Sequence, residues 1–219
     1  MCGRFAVTLP HDAMAQLFEA TQANDLPDPV NYNVCPTTRI AVIRAGEGHR
    51  MLQPMRWGFL PHWYKTPNDG PLLINARAET IAEKPAFRSA CRTRRCLIPA
   101  TGFYEWTKDA DGNRLPWYIF RADGAPLVMA GIWQDWSQDG MDLRSCAVVT
   151  TGANVAMQKI HHRMPVILPP EDWAMWLGEH GKGAARLMQA ADEDVLEYYR
   201  VDPKVNSNRA TGETLISPL

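Results

Sequence analysis

CLIPATGFYEWTKDADGNRLPWYIFRADGAPLVMAGIWQDWSQDGMDLRSCAVVT, residues 96–150, decides the fold. Within it, Cys96–Ile98, Phe103–Trp106, Trp117–Phe120, Leu127–Trp133 and Arg144–Thr150 are short runs of β-branched, aromatic or apolar residues, the composition of strands. Asp109 to Asn113 (DADGN) is a turn signal between two of them. Upstream, residues 39–45 (RIAVIRA) and 49–55 (HRMLQPM) read as a hairpin around Gly46-Glu47-Gly48. Thr8-Leu9-Pro10 reads as a helix start, after which Met14, Leu17 and Phe18 fall on one helical face. Trp57 to Pro71 is a loop rich in Pro, Trp and Gly, and Arg77 to Ala90 has weak helical character. Two helices are expected near 170–178 and 183–190. Strands before, among and after the helices, without regular βαβ alternation, predict an α+β fold with a largely antiparallel, barrel-like β core decorated by helices.

A chain of 219 residues, 46% hydrophobic, buries one sizeable core, and one domain over 1–219 is the expectation. The net charge is -1, so any nucleic-acid site is a local basic patch on a neutral body. Cys2, Cys35, Cys91, Cys96 and Cys146 form no C-x-x-C pair, and no zinc site is expected. The reading is a reduced cytoplasmic protein with mostly buried thiols, no metal and no cofactor. The start MCGRFAVTLPHD lacks the apolar core of a signal peptide, and no run approaches the roughly 20 apolar residues of a membrane span.

Four stretches carry chemistry. Met followed by a small residue is commonly trimmed, which makes Cys2 the first residue of a mature chain 2–219. An amino-terminal cysteine holds an amine and a thiol on adjacent carbons, with reference pKa values of roughly 7.7–8.0 and 8.5. Such an aminothiol condenses with an aldehyde to a Schiff base, and the thiol then closes a thiazolidine. Glu105 lies between Tyr104 and Trp106 in a strand-like run, where it is either an outward-facing carboxylate or a buried acid of raised pKa suited to proton transfer. His161 and His162 offer the usual proton shuttle, and Asn75 opens the run NARAET.

Together, MCGRF at the start, NYNVCP at 31–36, RWGFLPHW at 56–63, INARAET at 74–80, GFYEW at 102–106 and IHHRMPVIL at 160–168 resemble the SOS response-associated peptidase family, in the family's order and over nearly the whole chain. The resemblance implies a sensor of abasic sites in single-stranded DNA that crosslinks itself to them. Cys2 matches the cysteine that forms a thiazolidine with the ring-opened sugar. Asn75 matches the amide beside it, Glu105 the acid that senses the site, and His161 the histidine that acts on the sugar. Arg77 matches an arginine that contacts phosphate, a task its planar fork suits. A role in the DNA damage response, a weak lyase side reaction and self-removal of Met1 are compatible with it. The implied partner is single-stranded DNA containing abasic sites, bound by a monomer that becomes nucleoid-associated on DNA.

For the DNA groove, the expected lining is Arg4, Arg77, Arg88 and Arg163 with the rings of Trp63, Tyr64 and Trp106. Lys84, Arg88, Arg92, Arg94 and Arg95 cluster without an acid, as a groove wall or as a solvated surface. Trp57 is either an aromatic face for a base or core packing. Two departures stand out: some family members have Trp-Trp where this chain has Trp63-Tyr64, and His162 fills the motif's variable position. An extended backbone there predicts His161 and His162 on opposite faces. The rival readings are a cysteine-type peptidase built on Cys2, His161 and Asn75, and a non-covalent reader of modified DNA.

Overall fold

The computed structural model describes residues 2–219; Met1, and with it the expected trimming, lies outside the described residues. The chain begins with β1 (Phe5–Val7), α1 (His11–Phe18), β2 (Ala20–Gln22) and β3 (Asn31–Val34). The hairpin of β4 (Arg39–Ala45) and β5 (Arg50–Trp57) follows, then β6 (Asn75–Arg77) and α2 (Arg88–Thr93). The central run supplies β7 (Arg95–Ala100), β8 (Gly102–Lys108), β9 (Arg114–Arg121), β10 (Leu127–Gln138) and β11 (Met141–Gly152). Last come α3 (Val155–Gln158), β12 (Arg163–Pro165), α4 (Trp173–Leu177) and β13 (Leu196–Arg200).

The long strands follow from local sequence. β10 and β11 pair over eight registered positions, from Gly131↔Val148 to Gln138↔Met141. Their two-residue turn, Asp139-Gly140, has positive φ at both positions (49° and 78°), the geometry whose twist matches a hairpin. At the β8–β9 turn, Asp109 Oδ1 accepts from the backbone N–H groups of Asp111 (3.0 Å) and Asn113 (2.8 Å), the local bonding that favours Asp in turns.

β11, β10, β7, β4 and β5 are neighbours in that order, and the parallel pairs Ser145↔Arg56 and Cys146↔Trp57 join β5 back to β11. The result is a closed five-stranded barrel, which removes the exposed edges an open sheet would carry. The α+β, barrel-like expectation holds. A second antiparallel sheet runs β13-β9-β8-β1-β3. The two sheets share a buried cluster: Phe5, Phe103 and Ile119 from the smaller sheet meet Trp57, Ile98, Met129 and Val148 of the barrel. Trp57 is fully buried, 4.9 Å from the Phe5 ring, so it is core and not a face for a base. The alternate barrel residues Ile43, Leu52, Leu97, Val128 and Ala147 pack with Met14 and Phe18 of α1, Ala90 of α2 and Trp173 of α4.

Several helical expectations are corrected. In α1, Met14 and Phe18 are buried but Leu17 is 41% exposed, because the helix presents a narrow i, i+4 stripe. Residues 77–90 are mostly turns, with bonds such as Thr80 N to Arg77 O (3.1 Å) and Lys84 N to Thr80 O (3.0 Å), and α2 begins only at Arg88. The helix expected at 183–190 is the 3₁₀ turn Ala184–Leu187, entered through Gly183 at φ 131°.

β11 positions the functional end. Its last residues pair with β6 (Val148↔Asn75, Thr150↔Arg77) and with β12 (Thr150↔Pro165, Gly152↔Arg163). One strand thus holds the Asn75 motif and the His161 motif together. The chain start is tied to β8 through Tyr104 N to Arg4 O (2.9 Å) and Thr101 N to Ala6 O (2.7 Å).

Candidate functional site

Cys2 sits just before β1, fully buried in the cluster between the sheets. Its carbonyl accepts a 3.0 Å hydrogen bond from Asn75 Nδ2. β6 fixes that amide by pairing in parallel with β11, so the contact is set by the sheet and not by a flexible loop. Among the described residues, Asn75 Oδ1 is buried and accepts no hydrogen bond. A buried carbonyl left unpaired costs about 1–3 kcal/mol.

Glu105 lies on β8 opposite Trp117 and is only 3% exposed, so the outward-facing alternative is excluded. Burial raises its pKa above the ordinary carboxylate value, opposed by a backbone hydrogen bond at Trp106 and by the Arg114 charge. The Cys2 thiol is also pushed well up, by burial first and by the negative charge of Glu105 second. A thiol held in its protonated form is a poor peptidase nucleophile, because peptidase cysteines work as thiolates.

His161 follows α3 and precedes β12, half-buried. Its Nδ1 accepts from the Arg163 backbone N–H at 3.0 Å. Burial lowers its pKa; a backbone hydrogen bond at Arg163 opposes this, and the charges of His162 and Arg163 lower it further. Burial therefore moves the carboxyl up and the imidazole down, so their proton affinities draw together. The opposite-face expectation for the two histidines fails. Their rings stack 4.4 Å apart at 25°, because residues 159–162 form a turn and bend in place of a strand. His162 is exposed.

The expected DNA contacts divide. Arg77, at the end of β6, is exposed, as are Lys84, Arg88 and Arg92. Trp63 is 46% exposed, its ring edge-on to His62 at 4.9 Å. Tyr64 is 7% exposed, packed with Leu60 and Trp136, and its hydroxyl donates to Pro71 O at 3.2 Å. It offers no ring face, because the chain from Pro61 to Pro71 folds over it, and it leaves the DNA set. Trp106 donates from Nε1 to Asn206 Oδ1 (2.6 Å), with Arg114 4.5 Å and Arg4 5.9 Å from its ring centroid. Arg4 donates to Asn33 Oδ1 (2.7 Å) and Val205 O (3.0 Å), stitching the C-terminal arm to β3. Arg94 donates to Gln134 Oε1 (2.8 Å), and Arg95 donates to carbonyls of Cys91 (3.0 Å) and Arg92 (2.7 Å). Both serve the fold beside α2. Arg163 is engaged by Glu79, a residue of the NARAET run to which the sequence reading gave no role. Among the described residues no group of three metal-ligating side chains occurs, and no helix is long and apolar enough to cross a membrane.

The family model described as SOS response associated peptidase matches residues 1–208. The chain belongs to the SOS response associated peptidase family. It is 37% identical over 222 residues to the abasic site processing protein YoaM of Bacillus subtilis, covering 99% of this chain and 97% of that protein. It is 31% identical over 227 residues to the abasic site processing protein YedK of Escherichia coli, covering the whole of both. A solved structure of a protein from Bacteroides thetaiotaomicron superposes with a TM-score of 0.87 at 26% identity, over the full length of each chain.

Proposed function

We propose that this protein processes abasic sites in single-stranded DNA by covalent capture through Cys2. Removal of Met1 frees the Cys2 amine. The neutral amine attacks C1′ of the ring-opened abasic deoxyribose, a water molecule leaves, and an imine forms. The thiol then adds across the imine carbon, its proton passes to nitrogen, and a thiazolidine closes. Overall, one C–N and one C–S bond form and one water is released.

The observation that carries this reading is the grouping at Cys2: Asn75 on its carbonyl at 3.0 Å and the Glu105 charge acting on its thiol. Glu105, its pKa raised, takes the proton that leaves the amine and returns it when water departs. His161, kept neutral by burial, donates toward the sugar ring oxygen as the hemiacetal opens. Asn75 Oδ1 accepts from the amine or a sugar hydroxyl. The exposed cations Arg77 and Arg88 and the Trp63 ring serve the strand through phosphate contacts and stacking. The raised thiol pKa fits imine trapping, where the amine makes the first bond, better than peptide hydrolysis.

The test is crosslinking to an oligonucleotide carrying one abasic site, read on denaturing gels. Cys2→Ala abolishes the stable adduct, and Cys2→Ser leaves at most a labile imine. A heat-stable adduct at the wild-type level from Cys2→Ala overturns the proposal.

A further inference from the structure

Arg163 is expected among the residues lining the DNA groove, and its guanidinium is engaged within the protein. Nη1 meets Glu79 Oε1 at 2.6 Å, and Nη2 meets Glu79 Oε2 at 2.9 Å. Nη2 also donates to the Thr150 carbonyl at 2.8 Å. The fork is bidentate, the geometry in which an arginine–carboxylate pair is strongest and most directional. It is anchored at a junction: Glu79 follows β6, Thr150 belongs to β11, and Arg163 opens β12. One side chain thus ties β12 to β11 and to the segment after β6. Arg163 is 11% exposed at its side chain and Glu79 52%, so the pair is wet on the carboxylate side only.

The backbone of the same Arg163 reads His161. Its N–H, which can only donate, points at Nδ1 from 3.0 Å. Nδ1 must therefore present its lone pair, and the proton of the neutral ring is on Nε2. The Arg163 carbonyl also lies 3.2 Å from Nδ1, but it can engage only a ring protonated there. Among the described residues, the charges that act on His161 are those of His162, stacked on it, and Arg163 itself.

We infer that the Glu79–Arg163 ion pair is a positioning device: by pinning β12 to β11 and to the segment after β6, it sets the Arg163 N–H against Nδ1 and holds His161 as the Nε2–H tautomer, a hydrogen-bond donor toward the abasic sugar. The inference deepens the covalent-capture reading and rests on it for the identity of the sugar.

Two readouts on the full-length protein test it separately from that reading. The first is ¹⁵N–¹H correlation of the histidine rings without DNA, which reports the tautomer whether or not any adduct forms. Wild type should show His161 protonated at Nε2 and bare at Nδ1 above its titration. Glu79→Gln and Arg163→Lys should show mixed tautomers while the other histidine signals stay put. A wild-type ring protonated at Nδ1, or a pure Nε2–H ring in both variants, overturns the inference.

The second readout is single-turnover crosslinking with protein in excess, resolving the maximal rate from the half-saturating concentration. Glu79→Gln should lower the maximal rate about tenfold with half-saturation within threefold of wild type, and Glu79→Asp should recover part of that loss. If Arg163 instead serves phosphate, removing the Glu79 charge frees it. Glu79→Gln would then bind more tightly at an unchanged maximal rate, and that result also overturns the inference. A wild-type protein that makes no adduct at all sinks the covalent-capture reading and leaves the tautomer result standing on its own.

Discussion

Replacing Glu105 by Gln should make the protein more stable and nearly inactive at once. The carboxyl is 3% exposed on β8, and burial holds its pKa above the ordinary range. A carboxyl raised on folding binds its proton more tightly folded than unfolded. Stability is then full below the unfolded value, about 4.3, and falls as pH rises through the folded value. Glutamine keeps the shape and never ionises. At pH 8 the variant should gain about 0.5–2 kcal/mol, the usual return when a functional buried polar group is relaxed. For a chain of this length each kcal/mol raises Tm by about 2–4 °C. Urea unfolding between pH 4 and 8 should show the two proteins converging at the acid end and separating as pH rises. Single-turnover crosslinking should fall by about 10²–10⁴, or roughly 2.7–5.5 kcal/mol of transition-state stabilisation. A variant less stable at pH 8, with a gap that does not close on acidification, refutes the assignment of Glu105 as a strained buried acid. Crosslinking at the wild-type rate refutes its role in the chemistry.

Arg77→Ala should weaken binding to single-stranded DNA and flatten its salt dependence by about 0.7 in the log–log slope, one phosphate's worth, as measured by fluorescence anisotropy between 50 and 200 mM salt; an unchanged slope removes Arg77 from the phosphate track. Trp57→Ala should cost about 3–5 kcal/mol in urea unfolding, because the ring is fully buried at the seam of the two sheets and its Nε1 donates to Ile74 O at 3.1 Å. A loss under about 1 kcal/mol would mean that the seam collapses around the missing ring. His161→Ala should slow crosslinking by about 10²-fold or more, while His162→Ala should change it by less than about tenfold. The reverse order at pH 7 would exchange their roles.

The barrel was legible where strands are long. β7, β8, β9, β10 and β11 announce themselves by β-branched and aromatic runs, and the β4–β5 hairpin by its flanking repeats around a Gly-rich turn. The three-residue strands β1, β2, β6 and β12 were not, since at that length pairing partners decide the conformation and local preference does not. Residues 77–90 carry helix-forming composition, but Pro85 interrupts it before a helix can propagate. Cys2, Asn75, Glu105 and His161 were named from motifs, and the burial of Glu105 was legible as one of two alternatives. Glu79 was not assigned although it sits inside a quoted motif. Its partner is 84 residues away, and an ion pair over that distance leaves no local pattern. Tyr64 misled for the complementary reason: an aromatic beside an exposed Trp63 looks like a second stacking face until the chain from Pro61 to Pro71 closes over it. Likewise, the stacking of His161 on His162 follows from a turn that no alternation pattern marks.

Intact mass of the protein after mixing with single-stranded DNA bearing one abasic site tests the central claim most directly. The account predicts a single product, the chain without Met1 plus the oligonucleotide minus one water, formed without reductant and stable to heating, and no such species from Cys2→Ala. A wild-type chain that has lost Met1 and yields only the unmodified mass, or an adduct that still forms when Cys2 is replaced by Ala, contradicts it.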